Sequence, residues 1–332
     1  MMMASFLFKQ KAREALKGNW QNALVVTFFA CIFSTIAQVL QTVTMADVER
    51  VMDSITYAAS SLPQGAMTAE QAQQMLVSAV ENISSAMVIG LLVVNVLSLL
   101  FTPVLSVSCN RYFIRLNVGE EVGVCSGLIG SMSIWHRALW LHIVMGIKIF
   151  LWTLLFLLPG GIVLGWLYSV TGWIRLLILS SLFVIPGIVA ALRYSMAPYY
   201  LADDPSLTAR QALAKSKAVM KDKKFAYFAL QVSFIGWNLL INAVQLLLGG
   251  MLGTVLMLVA AQFMSLALSV YMNASNASFY RALSHPDGMG ELYTTMRRRM
   301  KEAGMSDSDI SATGFGAAHE EDQNNTDGDE NL

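Results

Sequence analysis

The sequence predicts an all-α protein, a polytopic transmembrane helix bundle of about six spans with amphipathic helices at the membrane interface. Of its 332 residues, 55% are hydrophobic and 13% are charged, whereas a typical soluble domain has about a quarter charged residues. The hydrophobic residues form runs of about 20, the length that a helix needs to cross the hydrocarbon core. Composition and pattern together exclude an ordinary soluble domain.

The hydrophobic runs define a transmembrane bundle over residues 22–283. The third run is too long for one straight crossing, and Pro159-Gly160-Gly161 interrupts it. It crosses near 140–158 or near 149–170, and the second choice leaves Lys148 at the interface, where its alkyl stem can snorkel. The six candidate spans lie near residues 22–40, 87–108, 139–170, 174–192, 225–248 and 251–272.

The charges of the connecting segments orient this bundle. Residues 41–86 contain one basic residue, Arg50, and five acidic ones, whereas residues 193–224 contain seven Lys and Arg residues. Lys and Arg are enriched in the cytoplasmic loops of membrane proteins. We therefore expect 41–86 to be an extracytoplasmic loop and both termini to be cytoplasmic.

Two basic amphipathic helices are predicted beside the spans, over residues 1–21 and 203–224. In the first, Phe8, Ala12 and Leu16 recur at helical spacing among basic residues, which is typical of a helix in the headgroup region. In the second, Thr208 and Gln211 have the spacing of a capping box. The candidate partners are an anionic lipid bilayer and a membrane or cytoplasmic protein. The candidate lipid-facing basic residues are Arg210, Lys215, Lys217, Lys221, Lys223 and Lys224.

Residues 284–332 are predicted to be a cytoplasmic tail that is acidic and disordered from about residue 306. The last 27 residues, 306–332, contain eight acidic residues and no Lys or Arg. Such a composition cannot bury enough apolar surface to fold.

The sequence contains no motif that indicates catalysis, a cofactor or a metal. It has no Gly-rich phosphate loop, no His-Glu-x-x-His motif and no paired-cysteine zinc spacing. Asp203-Asp204 precedes Pro205, which favours a helix cap over a metal ligand pair. We expect no enzymatic activity and no cofactor. Nucleic-acid binding is not expected either, because it needs a basic face on a folded soluble domain.

Polar side chains form stripes inside the predicted spans. Their spacing of three, four or seven residues places each stripe on one helix face. The stripes either join helices by hydrogen bonds or line a path for a small solute or lipid. They contain none of the ionisable residues that mark ion-coupled transporters. The candidate interior residues are Gln38, Asn95, Gln231, Asn238, Asn242, Gln245, Gln262, Ser265, Ser269 and Asn273.

The last two stripes are expected to face each other. Gly249-Gly250 predicts a tight turn, so that the fifth and sixth spans are antiparallel neighbours. This turn predicts contacts between Asn238 and Gln262 and between Gln231 and Ser269.

Several segments share their order and residues with one family. They are Ala15–Trp20, Tyr194–Pro205, Ala209–Leu213, Ser233–Trp237 and Ala277–Leu283. The set resembles an uncharacterised bacterial integral-membrane family, domain of unknown function nine-seven-five, over roughly residues 9–283. Two features depart from the family: Asp222 stands where glycine is usual, and the segment between the two Pro-Gly elements is longer. The resemblance implies a bacterial membrane protein and brings no activity, cofactor or catalytic residue.

The expected function is therefore that of a non-enzymatic protein of the bacterial cell membrane with an assembly, scaffold or envelope-related role. The alternative is a transporter or permeation component that uses the polar stripes. Solute flux in proteoliposomes would favour the alternative, and recovery of a protein partner without flux would favour the scaffold.

Overall fold

The computed structural model is helical throughout the part of the chain that it describes. It describes residues 2–61, 85–171 apart from 121 and 131, 185–284 apart from 253, and isolated positions outside these ranges. Within them there is no strand, which confirms the predicted all-α class. The predicted tail lies almost wholly outside the described residues.

Nine α-helices and one short 3-10 helix, Met132–Ile134, are assigned in the described residues. Most long helices correspond to hydrophobic runs, whereas the short ones connect them at one end. In chain order the helices are α1 (Met2–Leu16), α2 (Trp20–Ser61), α3 (Ser85–Leu116), α4 (Val124–Ile129), α5 (Trp135–Thr171), α6 (Ile185–Tyr194), α7 (Ala197–Asp203), α8 (Ala209–Leu252) and α9 (Thr254–Ser284).

Four stretches of the described chain are long and apolar enough to cross a membrane. They are Trp20–Thr42, Ile89–Leu116, Val124–Leu158 and Ala209–Leu247, and they overlap the first, second, third and fifth predicted spans. The predicted fourth span, 174–192, lies mostly outside the described residues. The sixth, 251–272, falls in α9, which is not among the four. These helices are compatible with a membrane protein.

Several helices are longer than the sequence predicted. Helix α8 has 44 residues and joins the predicted helix 203–224 to the predicted fifth span. It also runs through Gly249-Gly250 to Leu252, so the predicted tight turn at these glycines is wrong. A glycine costs a helix only about 1 kcal/mol, which is too little to end one inside an apolar run. Helix α2 likewise continues to Ser61, into the predicted loop 41–86.

The buried core lies at one end of the long helices. We call this end the helical base; it comprises α1, α4, α6 and α7 with the end of α3, the start of α5, the first half of α8 and the end of α9. Leu92, Leu155 and Leu239, outside the base, are each more than 60% exposed. The largest fully buried side chains, all in the base or the adjoining helix turns, include Leu16, Tyr112, Phe113, Leu141, Met196, Leu201, Leu213, Met220, Leu230, Phe234, Phe279 and Tyr280.

The apolar face of α1 packs into this base. Phe8, Ala12 and Leu16 are buried, and the Phe8 ring meets Phe279 of α9 edge-on at 5.1 Å. Gly18, with φ of 85°, then turns the chain into α2. The sequence pattern predicted this face among lipid headgroups, but it is covered by protein, because the end of α9 offers a matching apolar surface.

Replacing Phe279 with Ala should destabilise the protein by about 3–5 kcal/mol, because it opens a cavity between α1, α8 and α9. The matched control is Phe263→Ala on the same helix, where the ring is 64% exposed, and its effect should stay below about 1 kcal/mol. Unfolding in mild detergent, followed by circular dichroism, measures both. Equal losses of stability would contradict a core located in the base.

Candidate functional site

One hydrogen bond sets the register of α8 against α9. The Gln231 amide nitrogen donates to the Asn276 side-chain oxygen at 2.8 Å, and Phe234 meets Tyr271 at 5.6 Å between ring centroids. The predicted contact of Gln231 with Ser269 is therefore wrong by seven residues, or two helical turns. The error follows from the predicted turn, since α8 continues past both glycines.

The observed register places the two polar stripes at matching levels. In a pair of antiparallel helices, the residue numbers of two residues at the same level always add up to the same value. The Gln231–Asn276 bond sets that value for α8 and α9. Each remaining residue of the predicted α8 stripe then lies level with a polar residue of α9. The pairs are Asn238 with Ser269, Asn242 with Ser265, and Gln245 with Gln262.

The stripe residues that lie farther from the helical base make hydrogen bonds to the backbone of their own helices. The Asn238 amide nitrogen donates to the Phe234 carbonyl at 3.2 Å, and that of Asn242 donates to the Asn238 carbonyl at 2.7 Å. The Ser269 hydroxyl donates to the Ser265 carbonyl at 2.8 Å. Local bonds of this kind satisfy the donors without a partner helix.

Among the other candidate interior residues, one side chain contacts a third helix and two are exposed. The Asn273 amide nitrogen lies 3.9 Å from the Cys109 sulfur of α3, which brings the α9 stripe to a third helix. Asn95 is exposed and donates to the Leu91 carbonyl at 2.7 Å. Gln38 is also exposed. The interior stripe of α2 and α3 therefore opens onto the surface of the chain.

A second polar cluster, which no sequence pattern predicted, joins α7 to α9. The Tyr280 hydroxyl donates to a carboxylate oxygen of Asp203 at 2.8 Å. Its ring stacks on Tyr199 at 5.7 Å and meets Tyr200 edge-on at 5.0 Å. Burial, followed by the Asp203 charge, raises the pKa of Tyr280. The phenol stays neutral and acts as a fixed donor.

This cluster holds α7 against the end of α9. Within the described ranges, no three His, Cys, Asp or Glu side chains come together as a metal site would need. In the sequence, the only sign of this cluster is the concentration of tyrosines around Asp203. It does not indicate their partner, Tyr280, which is 77 residues away.

The start of α8 is fixed by a capping box, as predicted. The Thr208 amide donates to the Gln211 side-chain oxygen at 2.9 Å, and the Gln211 amide donates to the Thr208 hydroxyl at 3.4 Å. Asp203 and Asp204 do not cap this helix. Asp204 instead accepts from the Ser206 backbone amide at 3.0 Å, because the helix begins five residues later.

The first four turns of α8 present basic side chains outward from the base. Ala212, Leu213, Ser216 and Met220 are buried, so the basic residues of this segment occupy the remaining surface. We call them the basic face. Its members are Arg210, Lys215, Lys217, Lys221, Lys223 and Lys224, of which the first four are exposed and the last two partly buried.

The basic face has two edges. Spacings of seven, four and three place Arg210, Lys217, Lys221 and Lys224 along one edge. Lys215 lies on the other edge, with its ammonium 6.0 Å from the Tyr200 ring centroid. The tyrosine cluster and the basic face are thus parts of one surface of the base.

These features define an all-α protein with membrane-compatible helices and a packed base that displays a basic face. The family model described as "Protein of unknown function (DUF975)" matches residues 2–287. The chain belongs to this family, which confirms the resemblance, and the matched region spans every helix from α1 to α9. No curated protein and no solved structure matched the chain.

The Gln231–Asn276 bond predicts a specific coupling. Replacing either residue with Leu should cost about 1 kcal/mol, and the double replacement should cost less than the sum by about 0.6 kcal/mol, the typical value of an interhelical bond in a membrane. The control pair is Gln231 with Ser269, which should show no coupling. Unfolding in detergent measures both cycles, and coupling of the control pair alone would restore the register predicted from the sequence.

Proposed function

We propose that this protein is a multi-pass, non-enzymatic protein of the bacterial cell membrane with an assembly, scaffold or envelope-related role. Its termini and helical base are cytoplasmic, and the base is the part that binds partners. The observation that carries the proposal is the basic face on α8, a helix longer than a bilayer is thick. At 1.5 Å per residue, the 44 residues span about 66 Å, against about 40–45 Å for a bilayer with its headgroups.

The length of α8 divides the basic face into two groups. With the hydrocarbon boundary at Phe225, the nearer group lies within about 6 Å of it, in the headgroup zone. The outer group lies about 12–22 Å from the boundary, beyond headgroups that are about 5–8 Å thick. We call the two groups the headgroup lysines, which are Lys221, Lys223 and Lys224, and the projecting cations, which are Arg210, Lys215 and Lys217.

The two groups have different partners in this proposal. Each headgroup lysine attracts anionic lipid by about 1 kcal/mol, which fixes the depth of the helix. The projecting cations stand in water on a base held by buried contacts, a geometry that suits a protein partner. The position of Lys148 agrees with a base outside the hydrocarbon core, because its ammonium lies 5.4 Å from the Tyr194 ring centroid, at the base end of α6.

The polar stripes support a scaffold more than a path for solutes. Gln231 is used in a helix contact, and Asn238 and Asn242 are bonded to their own backbone. No charged residue occurs in these stripes. The transport alternative draws its support from Gln38 and Asn95, since exposed amides within spans are disfavoured against lipid.

The proposed orientation can be tested with two cysteines. Thr56 is exposed near the far end of α2, and the native Cys125 is exposed in the base. In a variant without Cys31 and Cys109, Thr56→Cys should react with an impermeant maleimide in spheroplasts. Cys125 should react only after the membrane is permeabilised. Reaction of Cys125 in intact spheroplasts would reverse the orientation.

The proposed role can be tested by photocrosslinking in cells. A photoreactive residue at Ala218, which is exposed beside the projecting cations, should give a discrete adduct with a protein. Changing Arg210, Lys215 and Lys217 to Gln should weaken that adduct, and a photoreactive residue at Leu239 serves as the lipid-facing control. Purified protein in proteoliposomes should pass small solutes no faster than empty vesicles. Solute flux without an adduct at 218 would favour transport.

A further inference from the structure

The projecting cations form two positive edges on the start of α8. From Pro205 to Lys221 the chain has four basic residues and no acidic one. Of the neighbouring acids, Asp203 and Asp204 accept hydrogen bonds from Tyr280 and Ser206, and Asp222 is exposed two turns after Lys215. Charge on the membrane is weakened at these cations, which lie about 4–17 Å beyond the headgroups, because the Debye length is about 8 Å at physiological ionic strength. A water-soluble anionic segment is therefore the matching ligand.

The chain itself supplies such a segment close by. Helix α9 ends at Ser284, four residues after Tyr280. Because the rings of Tyr280 and Tyr200 are 5.0 Å apart and the Lys215 ammonium is 6.0 Å from the Tyr200 ring, that ammonium lies within about 11 Å of the Tyr280 ring. Residues 306–332, with eight acids and no Lys or Arg, follow 21 residues after α9.

We infer that residues 306–332 bind the projecting cations of the same chain and cover the basic face until a partner displaces them. This inference rests on the proposed function, which places the projecting cations outside the membrane. Tethering favours the acidic segment over free competitors, since a short tether gives an effective concentration of about millimolar. Surface ion pairs are individually weak and screened by salt, so a partner readily displaces residues 306–332 from the projecting cations.

The cover can be detected by zero-length carbodiimide crosslinking. The full chain is placed, one copy per disc, in nanodiscs of neutral phosphatidylcholine and analysed by mass spectrometry at low salt. We expect amide crosslinks from the acids at 320–322 and 327–330 to Lys215 or Lys217, and at least a fivefold loss of these crosslinks in 0.5 M NaCl. Mixing ¹⁵N-labelled with unlabelled chains before reconstitution distinguishes contacts within one chain from contacts between copies.

A matched pair of variants identifies the surface. Arg210→Gln should weaken the crosslinks to Lys215 and Lys217, whereas Lys11→Gln, on α1 outside the basic face, should leave them unchanged. Crosslinks to Lys301 alone, crosslinks between isotopically different chains alone, or no tail crosslinks would each overturn the inference. The photocrosslinking adduct at Ala218 is a separate readout, so loss of the tail contact with a retained adduct would leave the proposed function standing.

Discussion

The end of α9 is the contact surface on which the rest of the structure depends. Phe279 and Tyr280 are almost fully buried, and their rings meet α1, α7 and α8. Because α1 and α9 are more than 230 residues apart in the chain, the base is complete only when α9 has been made. A site built on this base is therefore held by long-range packing rather than by local turns.

This packing also explains why the basic residues face outward. An amphipathic helix has one apolar face, and the apolar faces of α1 and α8 are both covered by protein in the base. Most of their cations are left at the surface, whereas Lys9 of α1 is partly buried and donates to the Ser233 carbonyl of α8 at 3.3 Å. In the proposed membrane placement, electrostatic attraction to lipid acts mainly on the headgroup lysines, and the projecting cations are left for a soluble partner.

Much of this architecture could be predicted from the sequence, and the failures have physical causes. Hydropathy identified four apolar helical stretches, which overlap the first, second, third and fifth predicted spans, because the length of an apolar run is visible in the sequence itself. The periodicity of Phe8, Ala12 and Leu16 identified an apolar face, but periodicity does not say whether lipid or protein covers it. The contact of Tyr280 with Asp203 was missed because residues far apart in the chain leave no local pattern. The register of Gln231 was wrong because a glycine pair was taken as a turn within an uninterrupted helix.

The central claim is that α8 leaves the membrane as one helix and projects into water, and spin-label depth measurements test it most directly. Nitroxides at Ala214 and Phe228, both exposed, should differ in anionic bilayers. The label at 214 should relax with the water-soluble nickel reagent and the label at 228 with oxygen. An oxygen-dominated signal at 214 would show the segment lying in the membrane surface and would contradict the account.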